Sequence, residues 1–118
     1  MNITEKNIEK ILIENVPEFL TVYKEYEKDN ENESLPHVLF GSYLIPFTEN
    51  SIKSNNEITL KKIGSFLDAC FKFGNKYVDN LIHVSFFENM ERKTFEKIPI
   101  SDKFRKHLKE LDKKGYFN

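Results

Sequence analysis

Residues 57–73 and 75–87 form two apolar-patterned stretches separated by little more than Gly74-Asn75. In the first, Leu60, Ile63, Leu67, Cys70 and Phe71 fall on one stripe at helical spacing. Ile63, Phe66, Cys70 and Phe73 fall on an adjoining stripe. Two adjacent stripes require neighbours on more than one side. Asn55 or Asn56 is placed to cap this helix, Glu57 complements its N-terminal dipole, and Gly74 reads as a C′ glycine. In the second stretch Tyr77, Val78, Leu81, Ile82, Val84, Phe86 and Phe87 leave little polar surface, which predicts the most buried helix of the chain. So short a link turns the second helix back antiparallel to the first, a helical hairpin.

The remainder of the 118-residue chain fits around that hairpin as a single domain, residues 1–118. Four glycines are too few to punctuate a many-stranded sandwich or barrel, which turns about every 8–12 residues. A core rich in aromatics is expected from 11 Phe and 5 Tyr, with Phe40 and Phe47 beside the hairpin. Thr4 is placed to cap a first helix, with Asn7 where a capping box would carry Glu, and Ile8, Ile11 and Leu12 on its apolar side. Pro17 is placed to open a second helix at N1, with Phe19, Leu20, Tyr23 and Tyr26 as its apolar side. Leu35-Pro36 opens a third, whose band of Val38, Leu39, Phe40, Tyr43, Leu44 and Phe47 is too wide for a surface helix. Gly41 leaves room for another backbone, and Pro46 is expected to kink or end this helix. A strand over Tyr43-Leu44-Ile45 is the competing reading. Met90 to Ile100 reads as an irregular connector, and Ser101 caps a last amphipathic helix with Phe104, Leu108 and Leu111 on one side, ending at Gly115. The fold expected is all-α, with five or six helices packed as antiparallel hairpins.

Little in the chain points to chemistry. It has no phosphate-cradling glycine loop, HExxH or paired-cysteine spacing. His37, His83 and His107 fall on three different helices, with nothing in their spacing to bring them together around a metal. Cys70, the lone cysteine, sits in an apolar run and reads as a buried thiol rather than a nucleophile. Asp79 and His83 are i, i+4 neighbours and make the one candidate acid–base pair. The plainer reading of Asp79, Asn80, His83, Glu88 and Asn89 is a solvent-facing strip, or groups that satisfy backbone at the helix end. Glu88, flanked by Phe86, Phe87 and Met90, needs a partner if buried. We expect no catalytic residue, cofactor or metal. With neither a leader-like start nor an apolar run of about 20 residues, the expected location is cytoplasmic.

The net charge of −1 hides a polarity. Residues 1–34 carry 4 Lys and 9 acids, whereas residues 91–118 carry 9 cations and 5 acids. The basic tail lacks interleaved base-stacking aromatics and reads as a solvated helix face, not a nucleic-acid surface. The acidic run Glu25, Glu27, Asp29, Glu31 and Glu33 reads either as a plain loop or as the face offered to a basic protein, since complementary charge speeds capture.

Two further stretches carry a resemblance: Leu35-Pro36-His37-Val38-Leu39-Phe40-Gly41, and Asn80 to Met90 with its Ser85-Phe86-Phe87-Glu88-Asn89 centre. With Phe66-Leu67 and Gly74-Asn75, they resemble a family of small bacterial proteins over roughly residues 10–90. Its pattern is Leu-Pro-x-x-x-Phe-Gly, a helix pair joined at Gly-Asp or Gly-Asn, then Ser-Phe-aliphatic-Glu-Asn. Phe87 departs from the usual Leu or Val, and Pro46 falls in a helix that is usually uninterrupted. The resemblance implies an all-helical fold whose hairpins stack somewhat as in HEAT-type repeats. Some proteins of this kind are similar to immunity proteins that accompany bacterial polymorphic or contact-dependent toxins. That implies Pro36, Glu88 and Asn89 as structural signatures, charged edges that meet the toxin, and no chemistry. The expected function is binding and neutralising a cognate toxin, a basic nuclease, with Glu25, Glu27, Asp29, Glu31 and Glu33 as the contact. A helical adaptor unrelated to toxins is the alternative.

Overall fold

Asn56 and Asn75 set the starts of the two central helices as their spacing predicts. Each side-chain oxygen accepts from the backbone N–H three residues on, Thr59 at 3.2 Å and Val78 at 3.0 Å. The computed structural model describes residues 1–115 and is all-α, with seven helical segments among them. These are α1 (Ile8–Asn15), α2 (17–29), α3 (36–53), α4 (Glu57–Phe73), α5 (76–87), α6 (Arg92–Phe95) and α7 (Asp102–Lys113).

Two of these helices change register internally. In α3 the stretch Leu39–Leu44 is π-helical, and in α5 so is Leu81–Phe87. Their wider turns close with Ile45 N–H donating to the Phe40 carbonyl and Glu88 N–H to that of His83. The two wide segments pack on each other at Gly41, where a β-carbon would make an ordinary 3.4 Å contact with the Ser85 carbonyl oxygen. The register shift also corrects the expectation for Pro46. Helix α3 continues through it to Lys53, because Pro46 falls in the first turn of the restarted α segment. There a missing N–H costs little. Residues 43–45 are helical, not a strand.

Helix α4 packs between α1 and the second half of α3, while α5 touches α4 in its first turn and then runs against α3. Gly74 joins α4 to α5, but in an extended conformation (φ −74°, ψ 144°) rather than the left-handed one of a C′ glycine. What demands glycine is crowding. A β-carbon would lie 2.4 Å from the Cys70 carbonyl oxygen and 2.6 Å from Val78 Cγ1. Ile3 takes up the free backbone on either side, donating to Phe73 and accepting from Asn75, both at 3.0 Å.

Thr4 does not cap α1, which starts at Ile8 with Asn7 at its N-cap position; in the turn before it Asn7 Oδ1 accepts from Thr4 N–H at 2.8 Å and Thr4 Oγ1 from Lys6 N–H at 3.2 Å. The connector 90–100 contains α6, since Phe95 and Ile98 lie one turn apart and both bury. Phe71 stacks on Phe104 at 4.4 Å, and Phe87 meets Phe86, Phe95 and Phe104 edge-on. This aromatic cluster fastens α6 and α7 to the central helices, each buried ring contributing about 1.5–3 kcal/mol. Phe40 lies beside Phe66 as expected, whereas Phe47 packs on Phe19 of α2.

Candidate partner-binding surface

Helix α2 begins where Pro17 fixes the first turn; of its expected apolar side Phe19 and Tyr26 are buried and Tyr23 half-buried, whereas Leu20 is exposed. Its C-terminus builds the acidic run. Asn30 caps the helix, Glu31 N–H donates to Lys28, and Asn32 N–H donates to Glu27 at 2.8 Å. This is the Schellman arrangement, in which the residue after the cap turns left-handed. That residue is Glu31, with φ 53°, followed by Asn32 with φ 63°. The same arrangement ends α3, where the left-handed residue is Asn55, and α7 is followed by left-handed Gly115. Asparagine and glycine tolerate that conformation; glutamate in it costs about 1–2 kcal/mol.

Of the five predicted contact residues, Glu25, Asp29, Glu31 and Glu33 are exposed and Glu27 is half-buried. The loop beneath them is pinned by a network that the sequence reading did not find. Glu9 of α1, assigned there to no site, accepts from Tyr23 at 2.9 Å, from Tyr26 at 3.5 Å and from Ser34 at 2.5 Å. The Tyr26 hydroxyl in turn accepts from Leu35 N–H at 2.6 Å. Burial, then the hydrogen bond to Glu9, pushes the Tyr23 phenol up, so it stays a neutral donor. Asp29 accepts from the Tyr43 hydroxyl of α3 at 2.8 Å, tying the run to a second helix. Between α2 and α3 lies a surface groove lined by Val22, Glu25, Tyr43, Pro46, Phe47 and Asn50.

The other candidates are placed as follows. His83 is buried, which corrects its assignment to a solvent-facing strip; Asp79, Asn80 and Asn89 are exposed. Its Nδ1 donates to the Asp79 carbonyl at 2.7 Å, and the Asp79 carboxylate stands 3.5 Å away. The ring packs against His107 of α7 at 5.3 Å, so two of the three histidines do meet. His37 lies elsewhere, hydrogen-bonded to Ser85. Among the described residues no group of three or more His, Cys, Asp or Glu is placed to hold a metal ion. Asn89 Nδ2 donates to the Ser85 carbonyl at 3.4 Å, and Glu88 is half-buried at the end of α5. Cys70 is buried, and burial pushes its thiol up, away from nucleophilic character. No described helix is long and apolar enough to cross a membrane.

No curated protein and no solved structure matches the sequence. The profile of a family described as a domain of unknown function, DUF7674, matches residues 9–117, taking in Leu-Pro-x-x-x-Phe-Gly, Gly74-Asn75 and the Glu88-Asn89 end of α5. The chain belongs to the DUF7674 family.

Proposed function

We propose that this protein is a cytoplasmic immunity protein, which binds a cognate bacterial toxin of nuclease type and blocks its active site without doing chemistry of its own. One observation carries the reading. The turn after α2 keeps Glu31 in a left-handed conformation that glycine would adopt freely, on a loop pinned by Glu9, Tyr26 and Asn30. A non-glycine residue held left-handed costs the fold stability, which supports reading Glu31 as kept for what its side chain meets. An ordered acidic surface also loses little entropy on binding. A nuclease, which exposes cations where phosphates bind, is the complementary partner.

The test is co-expression with the product of the neighbouring gene. If that product is toxic, the wild-type protein should rescue growth and bind it with strongly salt-dependent association. Reversing Glu25, Glu31 and Glu33 to lysine should slow association by about tenfold or more while the fold is kept. A neighbour without toxicity, or toxicity without rescue, removes the reading. Rescue with unchanged association kinetics removes the acidic run as the contact.

A further inference from the structure

We propose that the groove between α2 and α3 receives an arginine-bearing segment of the protein partner, its guanidinium lying between the aromatic lining and Glu25. The partner's identity rests on the preceding section; the groove does not. Beside Glu25 it is lined by the rings of Tyr43, Pro46 and Phe47 and by Val22, Ser42 and Asn50. Phe47 is held by Phe19 at 5.1 Å and Tyr43 by Tyr26 at 5.4 Å, so the aromatic lining is set before anything binds.

Charge decides the occupant. On α2, Glu25 and Asp29 lie one turn apart on the side of Val22, while Lys24 lies about 100° and Lys28 about 60° around the helix from Glu25, on the side away from Val22. Glu25 thus lines the groove and Asp29 is held beside it by the Tyr43 hydroxyl, whereas neither Lys24 nor Lys28 is among the lining residues. The effect registers on Tyr43, whose phenol is pushed up first by its hydrogen bond to Asp29, then by burial, with the charges of Asp29 and Glu25 adding. A planar guanidinium suits such a place better than an ammonium. It stacks on aromatic and proline faces while its fork meets a carboxylate. An anionic or purely apolar segment would meet the same two carboxylates unfavourably.

The experiment is a titration of the isotope-labelled full-length protein, followed by amide NMR, with the blocked peptide Arg-Leu-Arg-Leu-Arg. A glutamate-for-arginine version serves as control. The expected result is weak, saturable shifts centred on the amides of Val22, Ser42, Tyr43, Phe47 and Asn50, and none with the acidic peptide. Glu25→Gln should weaken binding about three- to fivefold, as for a partly exposed ion pair. Asn50→Arg, which fills the groove with a guanidinium from within, should abolish it. Ser42→Arg provides the same block from a second lining position should Asn50→Arg fail to fold. Shifts that never saturate, that centre on residues 31–33, or that survive both arginine substitutions overturn the proposal. Because no toxin enters this titration, its failure is distinct from failure of the immunity reading.

Discussion

The carbonyl oxygen of Pro99 lies against Gly64 so closely that a β-carbon on Gly64 would stand 1.9 Å from it. Helix α4 thus receives the segment before α7 directly on its backbone. That segment is fixed on both sides: Ile98 is fully buried, and Ser101 N–H and Oγ both donate to Asp68 of α4. An exposed helix position would gain about 1 kcal/mol from Gly→Ala. Here the obstacle is backbone that cannot rotate away, so we expect Gly64→Ala to cost about 1–3 kcal/mol or more. Urea unfolding should give a lower midpoint with unchanged slope. A raised midpoint would mean that residues 98–101 yield.

Glu9 accepts from three hydroxyls on two other parts of the chain. Glu9→Gln offers one carbonyl oxygen where there were two charged ones, and its amide adds a donor among donors. We expect a loss of about 1–3 kcal/mol, against about 1 kcal/mol for Tyr23→Phe. The two should couple, with the double variant falling short of the sum by about 0.5 kcal/mol or more. Strict additivity in a double-mutant cycle would show that the network contributes only its separate parts.

The contrast between Glu9 and the helix caps explains what was legible in the sequence. Asn56, Asn75 and Ser101 each satisfy a donor three residues away, so local spacing reveals them. Glu9 finds Tyr23, Tyr26 and Ser34 at separations of 14, 17 and 25 residues, and only the packing of α1 on α2 brings these together. Gly74 was identifiable as a required glycine but not for its reason, because crowding by Val78 depends on where α5 returns. Pro46 misled because the π-helical stretch before it, which apolar spacing does not reveal, puts it in the first turn of a restarted α segment. For the acidic run, charge alone shows exposure. That Glu31 fills a position suited to glycine is visible only in the backbone.

Stability should be lost on the alkaline side. Tyr23 is raised by burial, by its hydrogen bond to Glu9 and by the charges of Glu9 and Glu27; Tyr26, Tyr43, Tyr77 and Cys70 are raised as well. A folded-state pKa above the unfolded one means that the folded form holds its proton more tightly. The stabilisation is complete below the unfolded values, 10.0 for the phenols and 9.0 for the thiol, and is lost as pH rises beyond them. Unfolding midpoints should therefore fall above about pH 9. Tyr23→Phe and Cys70→Ala should each flatten that fall, whatever they do to stability at pH 7. An undiminished slope in both variants would assign the alkaline loss to other groups.

Glu31 gives the sharpest separation of folding from function. Relieving a left-handed non-glycine residue gains about 1–2 kcal/mol. Added freedom of glycine in the unfolded chain returns about 0.4–1 kcal/mol. Glu31→Gly should therefore stabilise by about 0.5–1 kcal/mol, seen as a raised urea midpoint. Asn55→Gly, at the equivalent turn after α3, should do less, because asparagine already tolerates that conformation. If Glu31 is kept for a basic partner, the stabilised variant should also associate with that partner more slowly and with a shallower salt dependence. A variant that is more stable and binds as well would remove Glu31 from the contact. A variant that is less stable, while Asn55→Gly is not, would give its carboxylate a role in folding instead.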